Sequence, residues 1–319
     1  MDVEGVRKVA VIGAGTMGPG LAQVFASAGH EVALYSRTAA TLERALAVTA
    51  SNLETFVHHG RLRAADVPQI LARISTTQSA SEAGADASLV IESIAENLEA
   101  KRLMFEELDQ ACPDDAVFTS GTSYLNIFEV VPERRLPQTI IAHWFAPPHI
   151  IPLVEVVRGP ETSQETVDLV VALLKEVGKV PTVMETFVPG FCVNRLLRII
   201  GREVFFLLDN GYMTADQLDL AVKASIIPRA MVLGFVQRYD FTGLDLSLNN
   251  LQSSDFLEAA LDDSPRSLVE HVQNGELGVK CGRGFFDYGD RDLEDVLRAR
   301  DDALIDVFNQ AGDLIYQRV

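Results

Sequence analysis

Apolar and polar positions along the first half of the chain switch repeatedly between two periods. Lys8–Ile12 is a short β-branched run. Leu21, Val24, Phe25 and Ala28 then recur on one helical face. Gly29 ends that helix, and Glu31–Tyr35 reads as a second strand. A helical stretch follows from Thr41 to His59, then a shorter one with Asp66 as cap and Pro68 in its first turn. Ser88–Ile91 is an apolar strand and Glu96–Ala111 a helix. Val117–Thr119, Thr139–Trp144 and Leu153–Val157 read as further strands. Thr162–Glu165 has the form of a capping box before a helix to Val177, and Val180–Met184 is a last strand. Strands alternating with helices predict an α/β fold, a doubly wound parallel sheet covered on both faces.

After Pro189–Gly190 the period becomes helical throughout, with Thr214–Gln217 as a second capping box. The change predicts two domains, 1–187 and 188–319, the second all α. Phe191–Leu208 is apolar nearly all round, as a helix buried in a core or a subunit interface would be. Arg195, Arg198, Arg202 and Glu203 interrupt it, so it does not read as a membrane span.

Charge narrows the partners. The 319 residues carry a net charge of −18, which repels nucleic-acid phosphates and anionic lipid, so neither is expected as a main partner. Three scattered cysteines suit neither a disulfide framework nor a cysteine metal site, and no metal is expected. Asp2 and Glu4 lack a signal-peptide charge pattern, so a cytoplasmic setting is expected.

The clearest chemical signal is Gly13-Ala14-Gly15-Thr16-Met17-Gly18. This G-x-G-x-x-G follows a strand and opens a helix, the context of a Rossmann-type dinucleotide site. Gly13 permits the tight turn, Gly15 lets the backbone approach a pyrophosphate, and Gly18 lets helix and strand pack. Thr16 and Met17 complete the loop. A carboxylate for the adenosine ribose is expected after the second strand of an NAD site. Ser36 and Arg37 stand there instead, which favours NADP.

Oxidation of an alcohol needs a base on the hydroxyl. His143 lies at the carboxyl end of a strand, where ligands bind in open α/β sheets. Glu155 sits in the apolar run Leu153–Val157, where a carboxylate needs a partner. A His–Glu pair answers both needs: the carboxylate fixes the imidazole tautomer and stabilises imidazolium. A sheet-edge Glu and a core His are the structural alternative. Thr119–Ser123 is a hydroxyl-rich loop that either binds a substrate oxygen or merely turns the chain. Asn194, within the apolar helix, is expected to be buried and to need a partner.

Taken together the motifs resemble the 3-hydroxyacyl-CoA dehydrogenase family over almost the whole chain. The matching pieces are Gly13–Gly20, Ile91–Lys101, Ser120–Ile127, His143–Glu155, Gly190–Leu197 and Lys280–Tyr288. The resemblance implies that His143 is the catalytic histidine and Glu155 its partner. It implies substrate contacts for Ser123 and Asn194, cofactor-side roles for Glu96 and Lys101, and a dimer formed through the helical domain. Three positions depart from the family's pattern: Ser36 replaces an acidic residue, Gly121 an asparagine, and Ala146-Pro147 an Asn-Pro. The His143–His149 segment is closer to members acting on small free carboxylates or ring alcohols than to fatty-acid enzymes. The expected activity is therefore NAD(P)-dependent interconversion of a hydroxyl and a carbonyl, on a 3-hydroxyacyl-CoA or on a smaller hydroxy acid or ring alcohol. A decarboxylating or imine-reducing dehydrogenase and a non-catalytic crystallin-like relative are the alternatives. Joint retention of His143, Glu155, Ser123 and Asn194 speaks against both.

Overall fold

The computed structural model describes residues 3–255, 257 and 259–317; Asp2 lies outside them. The chain divides into two compact units, Met1–Asn194 and Arg195–Val319.

In the first unit eight strands form one sheet in the order β3-β2-β1-β4-β5-β6-β7-β8. They are β1 (Lys8–Ile12), β2 (Glu31–Tyr35), β3 (Ile74–Thr77), β4 (Leu89–Glu92), β5 (Val117–Ser120), β6 (Thr139–Trp144), β7 (Leu153–Val157) and β8 (Val180–Met184). Between them run α1 (Gly18–Ser27), α2 (Ala39–His58), α3 (Val67–Ala72), α4 (Ala80–Gly84), α5 (Leu98–Ala111) and α6 (Gln164–Glu176). Alternation along the strands sends side chains to two cores. Val9 and Val11 of β1 join one buried cluster with Leu21, Phe25 and Val156. Ala10 and Ile12 join the other with Phe105, Phe118 and Val157. Burial of both faces is why the strands read as apolar runs.

The sheet is not parallel throughout. β1 to β6 are parallel, but β7 lies antiparallel to β6, and β8 follows β7. The connection after β6 is short and has no crossover helix, so the chain must return beside itself. Two elements escaped the sequence reading. β3 is an edge strand in which only Ile74 is buried, so no apolar run marks it, and α4 has five residues. Two caps also differ from expectation. Asp66 precedes α3 without a side-chain cap bond, because its carboxylate pairs with Arg63 instead. Ser163, not Thr162, caps α6 by accepting from the Thr166 amide. The Thr162 hydroxyl is committed to the Thr139 carbonyl at 2.6 Å.

Lys179, just before β8, pins the return between β6 and β7. Its ammonium donates to the Pro148 carbonyl at 2.6 Å and to the Ile151 carbonyl at 3.1 Å. Burial, reinforced by the Arg61 charge, lowers its pKa from 10.5 to about 8. Between these values the unfolded chain holds a proton that the folded chain does not, so stability rises with pH across that window. The rise is about 3 kcal/mol at ~1.4 kcal/mol per pKa unit. Lys179→Met should remove it, which denaturant midpoints of parent and variant between pH 7.5 and 10.5 will test. The comparison cancels Cys112, whose thiol burial pushes up to about 11.

The second unit is helical, with α7 (Val193–Asp209) entering it from the first. α8 (Ala215–Ala221), α9 (Ile227–Thr242), α10 (Leu244–Gln252), α11 (Arg266–Gln273) and α12 (Leu293–Ala311) follow. Thr214 caps α8 through the Gln217 amide, as its spacing predicts. No residue of α7 is buried within the single chain, so it is not a core helix. Among the described residues no helix is long and apolar enough to cross a membrane.

Candidate active site

The parallel strands deliver their carboxyl ends to one edge of the sheet. There the glycine loop leaves β1. Gly13 has φ +125°, and a Cβ on it would lie 2.4 Å from the Ser93 carbonyl oxygen. A Cβ on Gly18 would lie 2.2 Å from the Gly13 carbonyl oxygen. These two glycines are demanded by packing. Gly15 differs, since a Cβ there would meet nothing within 4 Å, so its backbone faces open space. Thr16 beside it is exposed and Met17 half-buried. Met17 stands at the N-cap of α1 and makes no side-chain cap bond, whereas Thr38, Asn97 and Ser163 cap α2, α5 and α6. An uncapped helix start beside an open glycine backbone fits a pyrophosphate. Ser36 and Arg37 follow β2 at the same edge, Ser36 half-buried and Arg37 exposed.

Next along the edge is a network the sequence showed only in part. Glu92 ends β4 and is fully buried. Its carboxylate accepts from the Lys101 ammonium at 2.7 and 2.9 Å, from the Ser120 hydroxyl at 2.5 Å and from the Ile94 amide at 2.8 Å. Lys101, buried on α5, also reaches Glu96 at 3.3 Å. Glu96 in turn accepts from the Thr122 hydroxyl at 2.6 Å and the Ser123 amide at 2.7 Å. Two carboxylates and one ammonium thus tie the loop after β5 to the start of α5. Glu92, Ser120 and Thr122 were missed as participants. Glu92 gave the signal that singled out Glu155, a carboxylate in an apolar strand, here Leu89–Glu92.

His143 and Glu155 meet. The antiparallel register of β6 and β7 sets them directly opposite each other. Nδ1 of His143 lies 2.8 Å from Oε2 of Glu155, and both side chains are buried. The other carboxylate oxygen, Oε1, accepts from the Cys192 and Val193 amides at 2.9 Å each. Glu155 therefore caps the start of α7 from a neighbouring strand. Burial pushes its carboxyl upward, but the His143 hydrogen bond and the two amides outweigh this and hold it below the ordinary value. An ionised Glu155 accepts, so Nδ1–H donates, and Nε2 is the ring nitrogen left to meet a substrate. Phe145 and Phe191 pack on the imidazole, with ring centroids 4.6 and 5.3 Å away. Asn194 is half-buried in the first turn of α7 rather than buried as expected; no residue of α7 is fully buried in the single chain. Ser123 is also half-buried.

A glycine loop fit for a dinucleotide and a buried His–Glu pair thus lie at the carboxyl ends of strands in one sheet. The comparisons with known proteins show the class of protein. Residues 8–187 match the model of the 3-hydroxyacyl-CoA dehydrogenase NAD-binding domain, and residues 190–288 that of its C-terminal domain. The chain is 35% identical over 285 residues to a 3-hydroxybutyryl-CoA dehydrogenase of Clostridioides difficile, covering 88% of this chain and 99% of the relative. Among solved structures it is similar to 5-formyl-3-hydroxy-2-methylpyridine 4-carboxylic acid 5-dehydrogenase, an NAD+-dependent dismutase. That likeness has a TM-score of 0.85 and 28% identity over 96% of this chain and 99% of that one. It is also similar to (S)-3-hydroxybutyryl-CoA dehydrogenase from Ralstonia eutropha, with a TM-score of 0.70 and 30% identity over 89% and 99%. The chain belongs to the 3-hydroxyacyl-CoA dehydrogenase family. It is an NAD-dependent dehydrogenase acting on CH–OH groups.

Proposed function

We propose that His143 is the acid–base group of this dehydrogenase and Glu155 the partner that orients it. The observation that carries this reading is the buried 2.8 Å contact between them at the carboxyl end of β6. In oxidation the substrate hydroxyl donates to Nε2, the proton moves there, and Glu155 stabilises the imidazolium. In reduction Nε2 returns the proton to the new alkoxide. When bound, the nicotinamide supplies the hydride acceptor or donor. Gly13, Gly15, Thr16, Met17 and Gly18 would hold the cofactor, the open backbone at Gly15 suiting its pyrophosphate. Glu96 and Lys101 stand on its side of the edge, and Ser123 and Asn194 contact the substrate.

The substrate class we favour is a small hydroxy acid or ring alcohol rather than a CoA thioester. The likeness across 96% of the chain to a dehydrogenase of a pyridine carboxylate supports it. So does Ala146 in a position where the family usually has asparagine. NAD(P)H absorbance with acetoacetyl-CoA, acetoacetate and 5-formyl-3-hydroxy-2-methylpyridine-4-carboxylate tests both points. Turnover of acetoacetyl-CoA alone would overturn the substrate preference, and turnover of none with either cofactor would count against the activity.

Ser36 and Arg37 support NADP as the preferred cofactor, because no carboxylate stands there to repel a 2′-phosphate. Ser36→Asp should shift the ratio of dissociation constants toward NAD by about tenfold or more, the scale of ~1.4 kcal/mol. Equal constants in the parent would refute the preference. The domain from residue 188 onward supplies the surface for a homodimer. Leu196, Leu197, Ile199 and Ile200 on α7 are 44 to 63% exposed in the single chain, a cost that a partner copy would remove. Light scattering at micromolar concentration should give twice the 34.8 kDa chain mass, and a stable monomer would rule the dimer out. Free cysteines at 112, 192 and 281 suit a reducing, cytoplasmic setting.

A further inference from the structure

Among the described residues, Phe191 alone is a non-glycine residue with positive φ, at +50°. It is also fully buried. A bulky side chain is disfavoured in this region of backbone space, which glycine and asparagine enter more readily. Such an outlier persists only where its surroundings over-determine it, and it is an observation from which function can be inferred.

The surroundings are specific. Pro189 and Gly190 form a turn closed by the Phe191 amide on the Val188 carbonyl at 3.0 Å, with Gly190 at φ +79°. The left-handed step at Phe191 comes next. The following two amides, those of Cys192 and Val193, point at Oε1 of Glu155 at 2.9 Å each. Oε2 of the same carboxylate holds Nδ1 of His143. The Phe191 ring meanwhile packs tilted on the imidazole at 5.3 Å and edge-on to Phe187 at 6.0 Å. One residue therefore touches His143 by its ring and immediately precedes the two amides that hold Glu155. Glycine would relieve the backbone and lose the ring, so the retained side chain points to a use for it.

We propose that Phe191 is a positioning residue for the His143–Glu155 pair. Its ring restrains rotation of the imidazole and keeps water from that face. Its left-handed backbone aims the two amides that fix the carboxylate. The inference rests on the reading of His143 as the acid–base group.

The test compares Phe191→Leu and Phe191→Gly with the parent and in a His143→Ala background. The probes are NADH and NADPH with acetoacetyl-CoA, acetoacetate and the formylpyridine carboxylate. Leu keeps apolar bulk without the ring, and Gly keeps the turn without the ring, which covers failure of the first variant to fold. We expect kcat to fall by about 10- to 100-fold, the scale on which small misplacements cost rate. Cofactor dissociation constants should change by less than about twofold, since the glycine loop is untouched. In the His143→Ala background the same substitutions should have almost no further effect, because a residue acting through the pair has nothing left to act on. An unchanged kcat, or a loss that multiplies in full in the His143→Ala background, would overturn this inference and leave the pair standing. Normal turnover by His143→Ala itself would remove the pair, and this inference with it.

Discussion

His143→Ala is expected to lower kcat by ~10²–10⁴-fold, the usual worth of a positioned acid–base group. Cofactor dissociation constants should stay nearly unchanged, since the glycine loop follows β1 while His143 is on β6. Glu155→Gln separates orientation from charge. The amide keeps the shape and still accepts at one atom, but it no longer stabilises imidazolium. Turnover in alcohol oxidation should therefore fall while cofactor dissociation constants hold. In the parent, His143 and two backbone amides hold the Glu155 carboxyl below the ordinary value despite burial, which keeps it the charged partner. Near-normal turnover by His143→Ala would make the pair structural and send the search for a base elsewhere.

A second large effect is expected at Lys101, read in stability rather than rate. Lys101→Met removes the ammonium and keeps most of the chain length. Glu92 is then left fully buried with only the Ser120 hydroxyl and Ile94 amide for its charge. Removing one partner of a buried ion pair typically costs about 3–5 kcal/mol. The loss should appear as a lower denaturant midpoint of the unit that holds the sheet. Adding Glu92→Gln to Lys101→Met removes the stranded charge and should restore part of the loss. A cost under about 1 kcal/mol for Lys101→Met would mean that water reaches the pair, contrary to its burial.

The sequence disclosed parts of this molecule for reasons that can be traced. β1, β2, β6 and β7 are buried over nearly their whole length, so most of their residues are apolar and stand out. β3 escapes because it is an edge strand with a single buried residue, and nothing in Ser75, Thr76 or Thr77 demands a strand. His143 and Glu155 were legible as candidates because each is a polar residue in an apolar run. Their partnership was not fixed by that pattern, because it depends on β7 running against β6, and alternation along a strand carries no direction. Thr162 and Ser163 illustrate a smaller failure. Both can cap a helix, and the choice was made by the distant Thr139 carbonyl that claims Thr162. Phe191 gave no signal at all, since an aromatic residue in an apolar segment looks like ordinary core and its φ is invisible in the sequence.

The antiparallel return of β7 onto β6 also governs how this protein tolerates changes in chain length. His143 and Glu155 are held opposite each other by ladder register, and the residues that join them, 145–152, lie outside the ladder. That connection is free to lengthen or shorten with little effect on the distance between imidazole and carboxylate, within the limits set by the Lys179 pin. A single residue inserted inside either strand behaves quite differently. It would turn every later side chain to the opposite face and carry one member of the pair away from the other. Among related chains, insertions should therefore gather between Phe145 and Pro152 and be missing from the few positions on either side, even where the amino acids themselves vary freely.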